Sequence, residues 1–354
     1  MSDQDLVVET VRDILEGHQP FVLTPDQPWD AGLWSDLAEA GLTGVGLPED
    51  AGGSGGELAD AVAVVATLAA GAAAVPVAEQ LLVAGPALLA AGVEHTAFDE
   101  PLSVADAVTA EARDDGDGPG RFLLTGTATE VPWAGVAGRV AVLAQAPAGL
   151  DGALLALVDV SGLDATRSVN LAGEPRGSLV LDAAPATGAV LTPAQAGQVR
   201  ARYALARAVQ LSAALQQVLS WTVQYAGERV QFGRPLGKFQ AIQMELAEMA
   251  GEVTAVAALV DAAVQALDCG ESAVLAAAAA KVRAGSAVEV VARLAHQVHG
   301  AIGFTQEHKL HHLTRRLWSW RDEAGTEAHW SRVLGAGVLA GGPDALWPAL
   351  THVV

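Results

Sequence analysis

The sequence predicts a mainly α-helical protein with a central β domain, on three observations. Apolar residues recur at helical spacing from Leu6 to about Val93. Short apolar runs bounded by turn residues then fill the stretch from about Pro101 to Val190, and helical spacing returns at about Thr192 and persists almost to the end. That order divides the chain into an N-terminal helical domain over 1–97, a middle β domain over 98–191 and a C-terminal helical bundle over 192–354.

In the first part, Leu6, Val7, Val11, Ile14 and Leu15, and then Leu33, Leu37 and Leu42, set the helical period. The stretch Leu47 to Gly56 interrupts it, because Pro48 and the glycines around Ser54 exclude a helix and demand a loop. A phosphate-cradling loop would carry a lysine after its glycines; none follows here and a helix precedes, so a structural turn is expected. In the middle part the runs 121–126, 139–144, 153–160 and 178–181 are predicted strands of a small antiparallel β-barrel or sandwich. Beyond Thr192, breaks near Gly233-Arg234-Pro235, Asp268-Cys269-Gly270, His299 to Thr305 and Gly341-Gly342-Pro343 leave four long helices whose apolar stripes face inward as a bundle.

Composition excludes several functions. A chain of 354 residues with 51% hydrophobic side chains can bury a sizeable core, so it is globular. The 41 acidic against 20 basic residues give a formal charge of −21, which repels phosphate backbones and anionic membranes; neither nucleic acid nor a membrane is an expected partner. The opening MSDQDLVVETVRDILEG lacks the basic head and apolar run of a signal peptide, so the cytoplasm is the expected location. The alanine-rich runs 61–75 and 274–280 are bounded by Asp60, Glu79, Lys281 and Arg283, too close for membrane spans, and read as buried helices. Cys269 is the one cysteine; it excludes an internal disulfide and reads as a small buried apolar residue without a catalytic role.

The chemistry-bearing segments lie late in the chain. Tyr225-Ala226-Gly227-Glu228-Arg229-Val230-Gln231-Phe232-Gly233-Arg234-Pro235 runs into Leu236-Gly237-Lys238-Phe239-Gln240 and the helix that follows. An arginine at a helix end followed by a glycine turn suits a diphosphate, since the guanidinium fork and free backbone N–H groups both reach its oxygens. Taken alone, Arg229 reads as a surface cation and Phe232 as core. The whole segment resembles the hallmark of the acyl-CoA dehydrogenase family, in which an arginine and an FG pair end one bundle helix and a phenylalanine-glutamine pair begins the next. Gln297-Val298-His299-Gly300-Ala301-Ile302-Gly303-Phe304 is similar to the family's Q-x-x-G-G-x-G-[FY] turn, with Ala301 in place of the second glycine. Trp34 to Leu42, followed by Leu47-Pro48-Glu49 and Gly52-Gly53-Ser54-Gly55, looks like its first helical domain.

The resemblance implies that FAD is held by Arg229, Gln231, Phe232, Gln297, Gly300, Ala301 and Thr326, with the 297–301 turn supplied by a neighbouring subunit. It also implies removal of a proton from the carbon beside an acyl-CoA thioester carbonyl while hydride leaves the next carbon for the flavin, with electrons passed to an electron-transfer flavoprotein. That reaction needs a carboxylate base with a raised pKa. The family's usual glutamate precedes a G-T pair near the C-terminus; aligning Arg315 and Gly325-Thr326 without gaps puts Ala324 there. A smaller group of relatives carries the base 26 residues before the motif arginine, which here is Tyr203. Both places lack a carboxylate. Asp322 and Glu323 stand just before Ala324, and Glu323 is the candidate base if the backbone swings it inward; otherwise these are solvated charges. The family's loop that approaches the flavin is replaced by Leu102-Ser103-Val104-Ala105-Asp106 and the charged stretch 111–118, and Trp133 reads as an ordinary core or surface aromatic.

His296, His299, His308, His311 and His312 crowd together, and on one helix His308 and His312 would share a face at metal-ligand spacing. No carboxylate or cysteine completes a ligand set, so no metal is expected and interface histidines are the preferred reading. Three functions follow from the resemblance: an FAD-dependent acyl-CoA dehydrogenase subunit, a non-catalytic partner subunit completing the FAD site of a heteromeric enzyme, or a flavin oxidase or monooxygenase of the same fold. A homo- or hetero-oligomer with another acyl-CoA dehydrogenase-like chain is implied by the first two.

Overall fold

A computed structural model describes residues 3–18, 22–114, 118–342 and 344. The elements follow the predicted order of helices, sheet and helices. Two compact units result, one of residues 1–65 and 73–206, the other of residues 66–72 and 207–354.

In the first unit, α1 (Asp3–Gly17) buries Val11 and Leu15. The next helix, α2 (Ala31–Glu39), begins where the buried carboxylate of Asp30 accepts from the Leu33 N–H at 2.9 Å, satisfying one of the orphan donors of a helix start. The glycine loop before α3 (Leu58–Ala70) is closed on itself: Gly46, Gly53, Ser54 and Gly55 N–H groups all donate to loop carbonyls, and a Cβ on Gly53 would lie 2.3 Å from the Leu47 oxygen. These glycines serve the turn, as the sequence reading expects. A π-helical turn (Glu79–Ala84) leads into α4 (Gly85–Ala90), and its fully buried Gln80 donates to the carbonyls of Thr43 and Phe98 and accepts from Leu102 N–H, which ties the helices to the first strand.

The sheet has strands β1 (Leu102–Asp114), β2 (Arg121–Pro132), β3 (Arg139–Gln145), β4 (Ala153–Asp159), β5 (Ala165–Val169) and β6 (Pro175–Leu191). The pairings β2–β1–β3–β4–β6 and back to β2 close a ring, with β5 added along β6. Its interior is filled at alternate positions, Val140, Val142 and Ala144 against Leu154, Ala156 and Val158, with Phe122, Leu124, Leu179 and Leu181.

Two features of this barrel depart from the sequence reading. Residues 102–106, read as a replacement for a loop, form the start of β1, which pairs parallel to β3 and makes the sheet mixed instead of purely antiparallel. Leu102, Ser103, Val104 and Ala105 are all buried, so both faces are covered and no alternation signals a strand. Strand β6 is far longer than 178–181, because Gly177, Pro185 and Gly188 lie inside it. A Cβ on Gly177 would meet the Thr166 oxygen at 2.5 Å and one on Gly188 the Leu155 oxygen at 2.6 Å; these glycines admit a neighbouring backbone and do not mark turns.

Helix α5 (Pro193–Glu228) opens with Pro193 in its first turn and a reciprocal cap, Gln195 accepting from Thr192 N–H and Thr192 accepting from Gln195 N–H. After it come α6 (Gln240–Asp268), α7 (Val274–His299), α8 (Leu310–Asp322) and α9 (Glu327–Gly341). All the predicted breaks are present, and one more falls at Glu323–Thr326, so the described residues give three long helices and two shorter ones where four long ones were expected. Cys269 caps α6 and is exposed, not buried as the sequence reading has it, because it follows the last buried turn of that helix. Buried residues on α6 form one stripe, Met249, Val253, Val256, Val260 and Ala263; the 29-residue helix is apolar enough to cross a membrane by length and composition, yet carries Glu245, Glu248, Glu252 and Asp261.

Candidate functional site

The second unit holds every residue named above as a cofactor contact. At the end of α5, Arg229 N–H donates to the Tyr225 carbonyl at 2.8 Å, and the chain turns into a hairpin in which Val230 pairs with Pro235 and Gln231 with Arg234. Its two loop residues, Phe232 and Gly233, both have positive φ, 52° and 77°, as tight hairpins require. Glycine adopts this freely; phenylalanine does not, and Phe232 is also 92% exposed. An apolar ring held out in solvent on a strained backbone is a cost to the isolated chain, and such outliers cluster at binding surfaces. Phe239 stands 6.2 Å from the Phe232 ring and carries the Arg234 guanidinium over its face at 4.1 Å. The Arg229 guanidinium is exposed and engaged by no described group, and Gln231 is half-buried. The expectation of Phe232 as core, had Arg229 been an ordinary surface cation, is thus not met.

Helix α7 ends at Gly300 with φ 64° and ψ −146°, a backbone region open only to glycine. Gln297, Gly300 and Ala301 are exposed around this corner. Ala301 is not among the residues with positive φ, so its methyl group brings no strain. Gly303 is the packed glycine: a Cβ there would lie 3.0 Å from His299 Cβ and 3.3 Å from His296 Nδ1. Tyr225, one turn before Arg229, stacks on His299, one residue before Gly300, with ring centroids 4.5 Å apart. The hairpin and the corner are therefore joined inside one protomer.

The third segment is the break between α8 and α9. Glu323 ends α8 with extended backbone, Ala324 has φ 55° and Gly325 φ 94°. Trp330 Nε1 donates to the Ala324 carbonyl at 2.7 Å, and a Cβ on Gly325 would collide with that same nitrogen at 2.6 Å. Lys281, fully buried in α7, donates through Nζ to the carbonyls of Arg321 and Gly325. Burial, and next the charge of Arg207, lower its pKa to about 8. Glu323 is not a solvated charge: its Oε2 lies 2.9 Å from Nε of Arg207, whose side chain is 1% exposed. Glu327 pairs with Arg321 at 2.8 Å and accepts from Ser286 Oγ. Thr326 caps α9, accepting from His329 N–H at 3.3 Å. Ala324 therefore occupies a corner fixed from several sides by buried polar groups, and Tyr203 is half-buried in the first unit.

Sequence reasoning did not assign roles to Arg207 or Lys281. A signal was present, since Arg207 is flanked by apolar residues on its helix and Lys281 directly follows a run of five alanines, placements where a buried cation is tolerated only with a partner.

The histidines divide differently from the expectation of one helical face. Helix α8 begins at Leu310, so His308 precedes it and its ring turns to His299, 4.9 Å away, while the rings of His311 and His312 lie tilted against each other at 4.0 Å. Among the described residues no group of three or more His, Cys, Asp or Glu is placed to hold a metal ion. Trp133 is a buried core aromatic, one of its two expected readings.

Comparison with known proteins places this geometry. Residues 1–96 match the acyl-CoA dehydrogenase N-terminal domain and residues 199–339 the acyl-CoA dehydrogenase C-terminal domain. The chain is 29% identical over 322 residues to acyl-CoA dehydrogenase IpdE2 of Mycobacterium tuberculosis, covering 89% of this chain and 90% of that protein. Among solved structures it resembles a chain of the Tcur3481-Tcur3483 steroid ACAD, with TM-score 0.86, 29% identity and coverage of 96% of this chain and 98% of that one. It also resembles a chain of the ChsE4-ChsE5 complex from Mycobacterium tuberculosis, with TM-score 0.85, 28% identity and 96% coverage of both. The chain belongs to the acyl-CoA dehydrogenase family.

Proposed function

We propose that the chain is a subunit of an FAD-dependent acyl-CoA dehydrogenase that works as a multimer, oxidising an acyl-CoA between its second and third carbons and passing the two electrons to an electron-transfer flavoprotein. The residues suit the cofactor. Arg229 offers an unengaged guanidinium fork for a diphosphate, Phe232 and Gln231 offer an apolar ring and an amide beside it, and the Gln297, Gly300, Ala301 corner leaves open space over a glycine backbone. Thr326 lies one residue past Gly325, at the start of α9. FAD, when bound, supplies the hydride acceptor; the chain's own part is to bind the diphosphate, exclude water and orient the thioester.

The observation that carries the assembly reading is Ala324. A corner fixed by Lys281, Trp330 and the Arg207–Glu323 pair presents a methyl group where the family's base resides. In a heteromer the carboxylate comes from a second acyl-CoA dehydrogenase-like chain, and this subunit completes the flavin site. The resemblance to chains of two-component assemblies, one of them a steroid ACAD, supports this and points to a bulky steroid-type acyl group. In the other arrangement the chain turns over alone and Glu323 is the base; proton transfer to it then requires leaving a buried ion pair.

Purifying the chain alone and recording its visible spectrum with and without acyl-CoA tests the proposal. Flavin that bleaches with the chain alone favours Glu323 as base. Colourless protein that acquires bleachable flavin only when co-expressed with a homologous chain favours the heteromer. Flavin that resists acyl-CoA in every combination, and is reduced by NADPH instead, overturns the dehydrogenase reading in favour of an oxidase or monooxygenase.

A further inference from the structure

Five aromatic rings lie between the hairpin and the glycine corner. Tyr225 stacks on His299, His299 meets His308 edge to face, and His296 stacks on Phe304 at 4.3 Å. His299 is buried; its Nδ1–H donates to the Ala295 carbonyl at 2.8 Å, which makes Nε2 the bare nitrogen of the neutral ring. That Nε2 is buried with no hydrogen-bond partner among the described residues. His296 has the same defect in mirror form: Nε2 faces the Thr314 hydroxyl at 3.1 Å, and Nδ1 is buried without a partner against Gly303. In each ring a proton added to the bare nitrogen would create a buried N–H with no acceptor, directed into packed atoms.

Among the described residues no carboxylate acts on either ring. From α5 Tyr225 meets the His299 and His308 rings, and Trp221 lies beneath Lys309 Nζ at 4.3 Å. The turn contributes His308 and Lys309, and α8 contributes His311, His312, Arg315 and Arg316. Glu307, the one acidic residue between Arg293 and Arg316, is exposed and takes its hydrogen bonds from its own N–H and from Thr305. Among the described residues, the charges that act on the cluster are all positive.

We propose that His296 and His299 are positioning residues for the glycine corner, holding the turn 300–304 beside the Arg229 hairpin only while both rings are neutral, so that acid opens the corner. The inference rests on the reading of hairpin and corner as the flavin-binding segments, and it makes flavin retention proton-sensitive. Burial and the neighbouring positive groups both lower the pKa of His296 and of His299, in keeping with rings built to stay neutral.

Hydrogen exchange of the full chain, in the assembly that retains FAD, is the test. Protection of backbone amides 300–309, corrected for intrinsic rate, is expected to fall about tenfold on going from about pH 7.5 to about pH 5.5, with FAD dissociation rising in step. A His296→Phe/His299→Phe double variant keeps flat rings that cannot charge, and should hold its protection and its FAD across that range. Should it fail to fold, His299→Gln retains a donor for the Ala295 carbonyl and answers the same question with a smaller pH effect. Unchanged protection in the wild type, or an equal loss in the variants, overturns the proposal. A chain that binds no FAD at any pH defeats the cofactor reading, while the exchange data still decide the fate of the corner.

Discussion

Arg207 Nε stands 2.9 Å from the Glu323 carboxylate, with the arginine side chain 1% and the glutamate 17% exposed. Arg207 lies on α5 and Glu323 just past the end of α8, and the pair fixes that end where the Ala324 corner begins. Removing one partner leaves a buried charge uncompensated, whereas removing both leaves a packing problem only. Glu323→Met is therefore expected to lower stability by about 3 kcal/mol, and Arg207→Met/Glu323→Met by less than the sum of the Arg207→Met and Glu323→Met changes. Urea unfolding of the four proteins checks this; additive losses would show that the pair is not coupled.

Arg229 provides the opposite case. Its guanidinium is exposed and engaged by no described residue, so Arg229→Ala should leave unfolding within about 0.5 kcal/mol of the wild type. Flavin content of the purified assembly should nonetheless drop to near zero, and Arg229→Lys should restore only part of it, because an ammonium cannot make the paired contacts of the guanidinium fork. Undiminished flavin in Arg229→Ala would remove the arginine from the cofactor site.

Much of this arrangement is legible in the sequence, and the reasons for the rest are physical. The change of period near Pro101 and again near Thr192 marks the helical and barrel parts, and Gly233-Arg234-Pro235 marks the hairpin, because turns and repeats are local properties. Strand β1 escapes notice because both its faces are buried at Leu102 to Ala105, where no alternation shows, and alanines outnumber valines along it. The extent of β6 is hidden by glycines and a proline that resemble turn signals and in fact admit neighbouring strands. The Arg207–Glu323 pair and the Lys281 contacts to Arg321 and Gly325 join residues far apart in the chain, and no spacing rule reports them. His308 and His312 mislead for a related reason: the helix that would align them starts two residues after the first.

The two adjacent residues of the corner, Gly300 and Ala301, give a contrast. Gly300→Ala forces a side chain into a backbone region reserved for glycine and should cost about 2 kcal/mol, although open space surrounds the position. Ala301→Gly relieves no strain and should shift stability by less than about 1 kcal/mol. Thermal unfolding distinguishes the two. Flavin affinity adds a second readout: if the family's second glycine matters for close approach, Ala301→Gly tightens FAD binding, and if the short helix at 300–304 sets the geometry, it does not.

Lys281 makes stability depend on pH in a direction opposite to the usual behaviour of a paired lysine. Its folded pKa is about 8 against 10.5 in a free chain, burial being the main cause. Between those values the unfolded chain binds a proton that the folded chain does not, so stability rises with pH across that window and is unaffected by this group well below it. The difference of two to three pH units corresponds to roughly 3 kcal/mol over the whole range. Lys281→Met removes the titration together with the hydrogen bonds to the Arg321 and Gly325 carbonyls, which adds a constant offset. Urea midpoints of wild type and variant, measured at intervals from about pH 7 to about pH 10.5, should therefore diverge with increasing pH, the wild type gaining relative to Lys281→Met. Parallel curves would mean that the ammonium stays charged throughout, held by its two carbonyl acceptors and by Asp322, Glu323 and Glu327 more firmly than burial opposes it.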